Sequence, residues 1–170
     1  LLSSSRKTNV IVTAPNRAAL VIFYKHLDQQ LSHLNQTQSY NIVQQQGKII
    51  VGTNSIEYMP VDQILKKSPD IDVLLVDEAA GVPVYLLKQL LTHAATCVFS
   101  STVHGYEGAG RGFSLKFLPL LKAQRSSFKS LHLRQPVRWA SNDPLESLLF
   151  DTCLMNAQLT EVKGDALEKE

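Results

Sequence analysis

The sequence predicts an α/β fold in which a parallel β-sheet carries helices on both of its faces. Two observations lead there. Residues 71–80, Ile-Asp-Val-Leu-Leu-Val-Asp-Glu-Ala-Ala, contain an apolar, β-branched-rich run, Val73–Val76, without polar alternation. A run that short and that apolar suits a strand covered on both sides. Short apolar runs of this kind also alternate along the chain with longer stretches of helical period, the order that right-handed β-α-β connections produce.

The elements follow in order. Val10–Thr13 reads as a strand that breaks at Ala14-Pro15-Asn16, and residues 17–34 then carry Leu20, Phe23, Tyr24, Leu27, Leu31 and Leu34 at helical spacing. Residues 35–47 include five Gln and two Asn and are expected to be a loop that can hold a short irregular edge strand. A strand resumes at Lys48–Val51, and residues 54–70, with Ile56, Met59, Val61, Ile64 and Leu65, are expected to include a short helix. Val73–Val76 is the central strand. Pro83 opens a helix to about Thr92, since proline is well tolerated in a first helical turn. Thr96–Ser100 is the next strand, residues 113–124 a helix, Ser130–Leu133 a last strand and residues 144–155 an amphipathic helix. Residues 1–155 are expected to form one domain, and the charged segment 156–170 a tail or linker.

Composition removes several functional classes. A chain of 170 residues with 44% hydrophobic content fits one globular domain rather than a disordered segment. With 17 Lys+Arg against 15 Asp+Glu, the net charge of +2 provides no overall field for nucleic acid. Such binding would need a local patch, for which Arg111, Lys116, Lys122, Arg125 and Lys129 are candidates, although the same residues also read as a solvated face. Cys97 and Cys153 lack metal-ligand spacing and are expected to be reduced, buried thiols. No window approaches the roughly 18 apolar residues of a membrane span, and the first residues lack a signal-peptide core. The expectation is a cytoplasmic protein with no membrane partner. The chain has no initiator Met, which suggests that it begins partway through a longer protein.

The chemistry centres on Asp77 and Glu78, two adjacent carboxylates closing an apolar strand. This is the pattern of a Walker B element. In open α/β sheets the ligand crevice lies at the carboxyl ends of the strands. There Asp77 would hold Mg²⁺, directly or through water, and Glu78 would orient a water beside the γ-phosphate of ATP. The chain contains no Gly-x-x-x-x-Gly-Lys-Ser/Thr, so the loop that cradles the β- and γ-phosphates is absent from it. The glycine-rich run Gly105–Gly112 has no Lys-Ser/Thr and follows the acidic strand, so it does not replace that loop. The segment after Ser100 brings Ser101, Thr102 and His104 to the same sheet edge and resembles the sensor motif of helicase-type motors. Thr102, His104, Gly105 and Arg111 are the sensor and loop candidates. Arg138, beside the proline-stiffened Arg134-Gln135-Pro136 bend, offers a planar guanidinium suited to bidentate phosphate contact.

Three ordered segments carry a family resemblance: Val-Asp-Glu-Ala-Ala at 76–80 with Pro83, Gly-Tyr-Glu-Gly-Ala-Gly-Arg-Gly-Phe at 105–113, and Gln-Pro-Val-Arg-Trp-Ala at 135–140. Over roughly residues 7–150 the chain resembles the helicase-like module of bacterial tRNA(Met) cytidine acetyltransferases, the TmcA family. The resemblance implies an incomplete P-loop NTPase fold of the RecA-like, RecD-type helicase kind. The enzyme would use ATP and acetyl-CoA to form N4-acetylcytidine at the wobble position of elongator tRNA(Met). It also implies that Asp77 and Glu78 are the Walker B pair and that Arg138 contacts the ATP phosphates. The Walker A loop and the acetyl-CoA site would lie in the rest of the parent polypeptide, so this piece alone is expected to be inactive. The residues themselves leave a second reading open, a non-catalytic α/β domain that binds RNA or protein.

Overall fold

The computed structural model describes residues 6–37, 41–45, 47–102, 112–124, 127–133 and 143–153. The chain divides into two units, Leu1–Phe128 and Lys129–Glu170. The first is built on a six-stranded sheet: β1 Asn9–Thr13, β2 Ile42–Gln45, β3 Lys48–Val51, β4 Asn54–Tyr58, β5 Ile71–Val76 and β6 Ala94–Phe99, in the order β2-β3-β4-β1-β5-β6. β4, β1, β5 and β6 run parallel, and for β1, β5 and β6 the apolar runs predict a strand. β2 and β3 extend this core as an antiparallel ladder leading into β4.

Alternation along the inner strands sorts side chains to the two faces. Val10 and Val12 of β1 and Val73 of β5 pack beneath Leu20, Phe23, Tyr24 and Leu27. These belong to the 3₁₀ turn Arg17–Leu20 and to α1, Val21–Thr37. Ile11, Leu74 and Val76 point the other way, into a larger core with Ile64, Leu87, Leu90, Phe113, Phe117 and Leu121. Those residues come from α2 (Val61–Lys67), α3 (Val84–Leu90), a π-helical turn (Phe113–Phe117) and α4 (Leu118–Gln124). Full burial of each such aliphatic side chain contributes about 1.5–3 kcal/mol. The wider π turn directs both Phe113 and Phe117 inward, with their rings 5.5 Å apart, and Phe117 meets Phe99 of β6 edge-to-face at 5.0 Å.

Three sequence expectations are corrected. Residues 54–70 contain not only α2 but also β4, which pairs with β1 on one side and β3 on the other. Its run Asn-Ser-Ile-Glu-Tyr is too polar to stand out, and its buried Asn54 is held by the backbone N–H of Thr8 at 2.9 Å. The β3–β4 connection is the two-residue turn Gly52-Thr53, with Gly52 at φ 60°. Positive φ at the first turn residue matches the twist of the flanking strands, and glycine adopts it without steric cost. The strand expected at Ser130–Leu133 does not form. Leu131 and Leu133 are 93% and 89% exposed, because apolar content cannot make a strand without a ladder partner. Neither cysteine is buried: Cys97 is half-buried on β6 and Cys153, beyond the last helix, is exposed. Neither forms a disulfide among the described residues.

In the second unit, α5 spans Pro144–Thr152, with Asp143 accepting a hydrogen bond from the Leu145 N–H at 2.8 Å and proline in the first turn. Among the described residues, no helix is long and apolar enough to cross a membrane.

Candidate functional site

Because β1, β5 and β6 are parallel and in register, with Thr13 beside Val76 and Val76 beside Phe99, all three end at one edge. The backbone then places three loops next to one another: Ala14-Pro15-Asn16, Asp77-Glu78 and Ser100-Ser101-Thr102. Hydrogen bonds stitch them together. The Asp77 N–H donates to the Thr13 carbonyl at 2.9 Å, the Ser100 N–H to the Val76 carbonyl at 3.0 Å and the Ala79 N–H to the Ser100 carbonyl at 2.9 Å.

The Asp77 carboxylate is half-buried in this seam. Its Oδ1 accepts the Glu78 N–H at 3.0 Å and the Ser100 hydroxyl at 2.7 Å. A carboxylate oxygen has two lone pairs, so both donors are absorbed by Oδ1, and Oδ2 is the oxygen left for other ligands. Ser101 Oγ accepts the Ala80 N–H at 3.2 Å, tying the turn after Glu78 to the end of β6. Ala79 and Ala80 are buried beneath this turn, in a short 3₁₀ segment, Ala79–Gly81.

Glu78 is exposed and holds the left-handed conformation, φ 47° and ψ 44°. For a residue with a Cβ this costs about 1–2 kcal/mol. The turn is over-determined by bonds at both ends, since the Glu78 N–H is taken by Asp77 and its carbonyl accepts the Gly81 N–H at 2.8 Å. The left-handed residue turns the chain sharply beyond β5 and leaves the Glu78 side chain in solvent at the sheet edge.

Thr13 is fully buried, and its Oγ1 has no hydrogen-bond partner among the described residues. A buried hydroxyl without a partner is costly, and this one lies on the strand end whose carbonyl holds Asp77. The donor set fits Mg²⁺ bound with a nucleotide, since a hard cation takes oxygen ligands and Asp77 presents one. Among the described residues no three His, Cys, Asp or Glu side chains gather as a metal-binding group. A cation here would therefore complete its shell with water and nucleotide oxygens.

Along the same edge, the Arg17 guanidinium lies over the Tyr58 ring at 5.8 Å, bridging the ends of β1 and β4. The neighbouring Tyr24 hydroxyl is buried without a partner among the described residues. Burial pushes its pKa above the ordinary 10.0; Arg17 pulls against that, and Glu57 and Tyr58 push it further up.

Of the residues predicted from sequence, Asp77 and Glu78 stand side by side at the strand end, and Thr102 follows β6 as an exposed residue. His104, Gly105, Arg111 and Arg138 lie outside the described residues, as does Arg125 of the basic patch. Sequence reasoning passed over Ser100. A hydroxyl closing a strand in register with an acidic strand end is the signal that would have found Ser100, but the register is not visible in one sequence.

A mainly parallel sheet with helices on both faces, carrying an acidic pair at its carboxyl edge, defines an α/β domain. Solved structures show the same fold: two crystal forms of the large terminase from a thermophilic bacteriophage superpose with TM-scores of 0.51 and 0.50 at 14% and 13% identity. Each match covers 72% of this chain, and 32% and 31% of the terminase chains respectively.

The chain belongs to the family described as RNA cytidine acetyltransferase NAT10/TcmA, helicase domain, whose model matches residues 1–156. It is 42% identical over 161 residues to the tRNA(Met) cytidine acetyltransferase TmcA of Vibrio cholerae serotype O1, covering 95% of this chain and 22% of that protein. It is 38% identical over 171 residues to the protein of the same name from Thermococcus sp. strain AM4, covering 97% of this chain and 20% of the relative. The chain thus spans about a fifth of the length of these curated relatives.

Proposed function

We propose that this chain is the nucleotide-hydrolysing module of a cytoplasmic tRNA(Met) cytidine acetyltransferase, working on Mg-ATP while acetyl transfer from acetyl-CoA occurs elsewhere in the same polypeptide. The observation that carries the reading is the Asp77-Glu78 pair, held at the carboxyl edge of the parallel sheet by the ends of β1 and β6, in a chain of this family.

Each residue has a distinct part. Asp77 has Oδ1 fixed by Glu78 and Ser100, which leaves Oδ2 as the oxygen for Mg²⁺ or for a water in the ion's shell. Bound Mg²⁺ would neutralise charge on the phosphate oxygens. Glu78, solvent-facing on a rigid turn, orients the attacking water and accepts its proton. Arg138 supplies a guanidinium to the phosphates, where charge develops as the terminal phosphoryl group leaves. Thr102, His104, Gly105 and Arg111 follow β6 in sequence, and we assign them to sensing the nucleotide state. The tRNA is the partner whose presentation the cycle serves.

The test is made in the full-length protein that carries this chain. Glu78→Gln keeps the shape of the side chain and removes the base, so ATP binding should persist while hydrolysis falls by about 10²-fold or more. Unchanged turnover would remove Glu78 from the reaction and favour a non-catalytic α/β domain that binds RNA or protein.

A further inference from the structure

We infer that Ser100 is a positioning residue that fixes the Asp77 carboxylate for divalent-cation binding. The inference rests on the ATPase reading above and deepens it by assigning to the acidic site a residue just beyond the end of β6.

The Ser100 hydroxyl has two acceptors within reach, Asp77 Oδ1 at 2.7 Å and the Val76 carbonyl at 3.5 Å. It has one proton to give, and the short bond to a charged oxygen is the stronger by a wide margin. With the Glu78 N–H already on Oδ1, the serine completes that oxygen and fixes the carboxylate plane. Without Ser100, Oδ1 keeps a single donor and the carboxylate is free to rotate about its bond to Cβ. Oδ2 then no longer meets an incoming cation in one orientation. The Ser100 main chain reinforces the arrangement, since it exchanges hydrogen bonds with Val76 and Ala79 on either side of Asp77-Glu78. The end of β6 therefore holds the backbone of the acidic turn through its main chain and the carboxylate through one side chain. Partners of this kind, which orient a ligand without touching the metal, typically change metal affinity by about 10–100-fold when removed.

The experiment titrates Mg²⁺ into the full-length protein at a fixed concentration of a fluorescent ATP analogue and compares wild type with Ser100→Ala, Ser100→Thr and Asp77→Asn. Nucleotide binding without Mg²⁺ is measured alongside. Ser100→Ala should raise the half-saturating Mg²⁺ by about 10-fold and leave Mg²⁺-free nucleotide binding unchanged. Ser100→Thr, which keeps the hydroxyl at an exposed position, should restore the wild-type midpoint. A Ser100→Ala midpoint equal to wild type, with Asp77→Asn strongly shifted, overturns the role of Ser100 and leaves the acidic site intact. Equal impairment by threonine and alanine also overturns it, because the effect would then come from packing. An Asp77→Asn midpoint equal to wild type overturns the ATPase reading, and this inference with it.

Discussion

Glu78 should be a less stable choice than glycine at its own position. Its backbone sits at φ 47° and ψ 44°, where a Cβ costs about 1–2 kcal/mol. Glycine removes that cost but loses about 0.5–1 kcal/mol through the larger entropy of its unfolded state. The two terms leave Glu78→Gly more stable than wild type by roughly 0–1.5 kcal/mol. Alanine keeps the strained Cβ, and the Glu78 side chain it removes is exposed, so Glu78→Ala should stay within about 0.5 kcal/mol of wild type. Glycine should therefore exceed alanine by about 1 kcal/mol, or about 2–4 °C for a folding unit of 150–250 residues. Denaturant and thermal unfolding of the three proteins measure the difference, with equal m-values showing that the unfolded state is unchanged. An alanine variant as stable as glycine would refute the strain argument, because the turn would then have left the left-handed region at no cost. If the glycine variant is the more stable and also loses ATP turnover, the strain is retained for the sake of the carboxylate.

Two further outcomes follow from buried polar groups. Asn54→Ala removes the acceptor for the Thr8 N–H, at 2.9 Å in a site where Asn54 is 4% exposed; it should cost about 1–3 kcal/mol, read as a lower denaturant midpoint. Tyr24 has a raised folded pKa, so its contribution is fully present below the unfolded value near 10 and is lost as pH rises through the folded value. Tyr24→Phe should flatten that alkaline loss and cost little at neutral pH, because the hydroxyl has no partner among the described residues. A steeper alkaline loss in the phenylalanine variant would contradict the assignment.

The elements legible in the sequence are those whose apolar pattern is local. Val10–Thr13, the Leu20 to Leu34 stripe and Val73–Val76 each bury one or two faces, and period alone identifies them. β4 was not legible because Asn54, Ser55 and Glu57 dilute its pattern; it is a strand because β1 and β3 supply ladder partners on its two sides. Ser130–Leu133 failed for the converse reason, having strand-like composition but leaving Leu131 and Leu133 in solvent. α1 runs to Thr37, past the polar boundary expected near residue 34, because glutamine and asparagine are tolerated in a helix.

The candidate site divides along the same line. The acidic pair at the end of an apolar strand, and the absence of a phosphate-cradling loop, are properties of consecutive residues and need no fold to be seen. The carboxylate's partners are not local: Ser100 lies 23 residues from Asp77 and meets it only because β5 and β6 pair in one register. A register shifted by one residue would turn Ser100 to the opposite face and leave Oδ1 half-satisfied. The left-handed Glu78 was equally hidden, since a glutamate carries no sequence mark for positive φ and adopts it here under bonds from Asp77, Gly81 and the end of β6. Composition and spacing determined where the acidic pair falls; strand pairing decided which atoms hold it in place, because hydrogen-bond geometry between distant residues exists only after the sheet has formed.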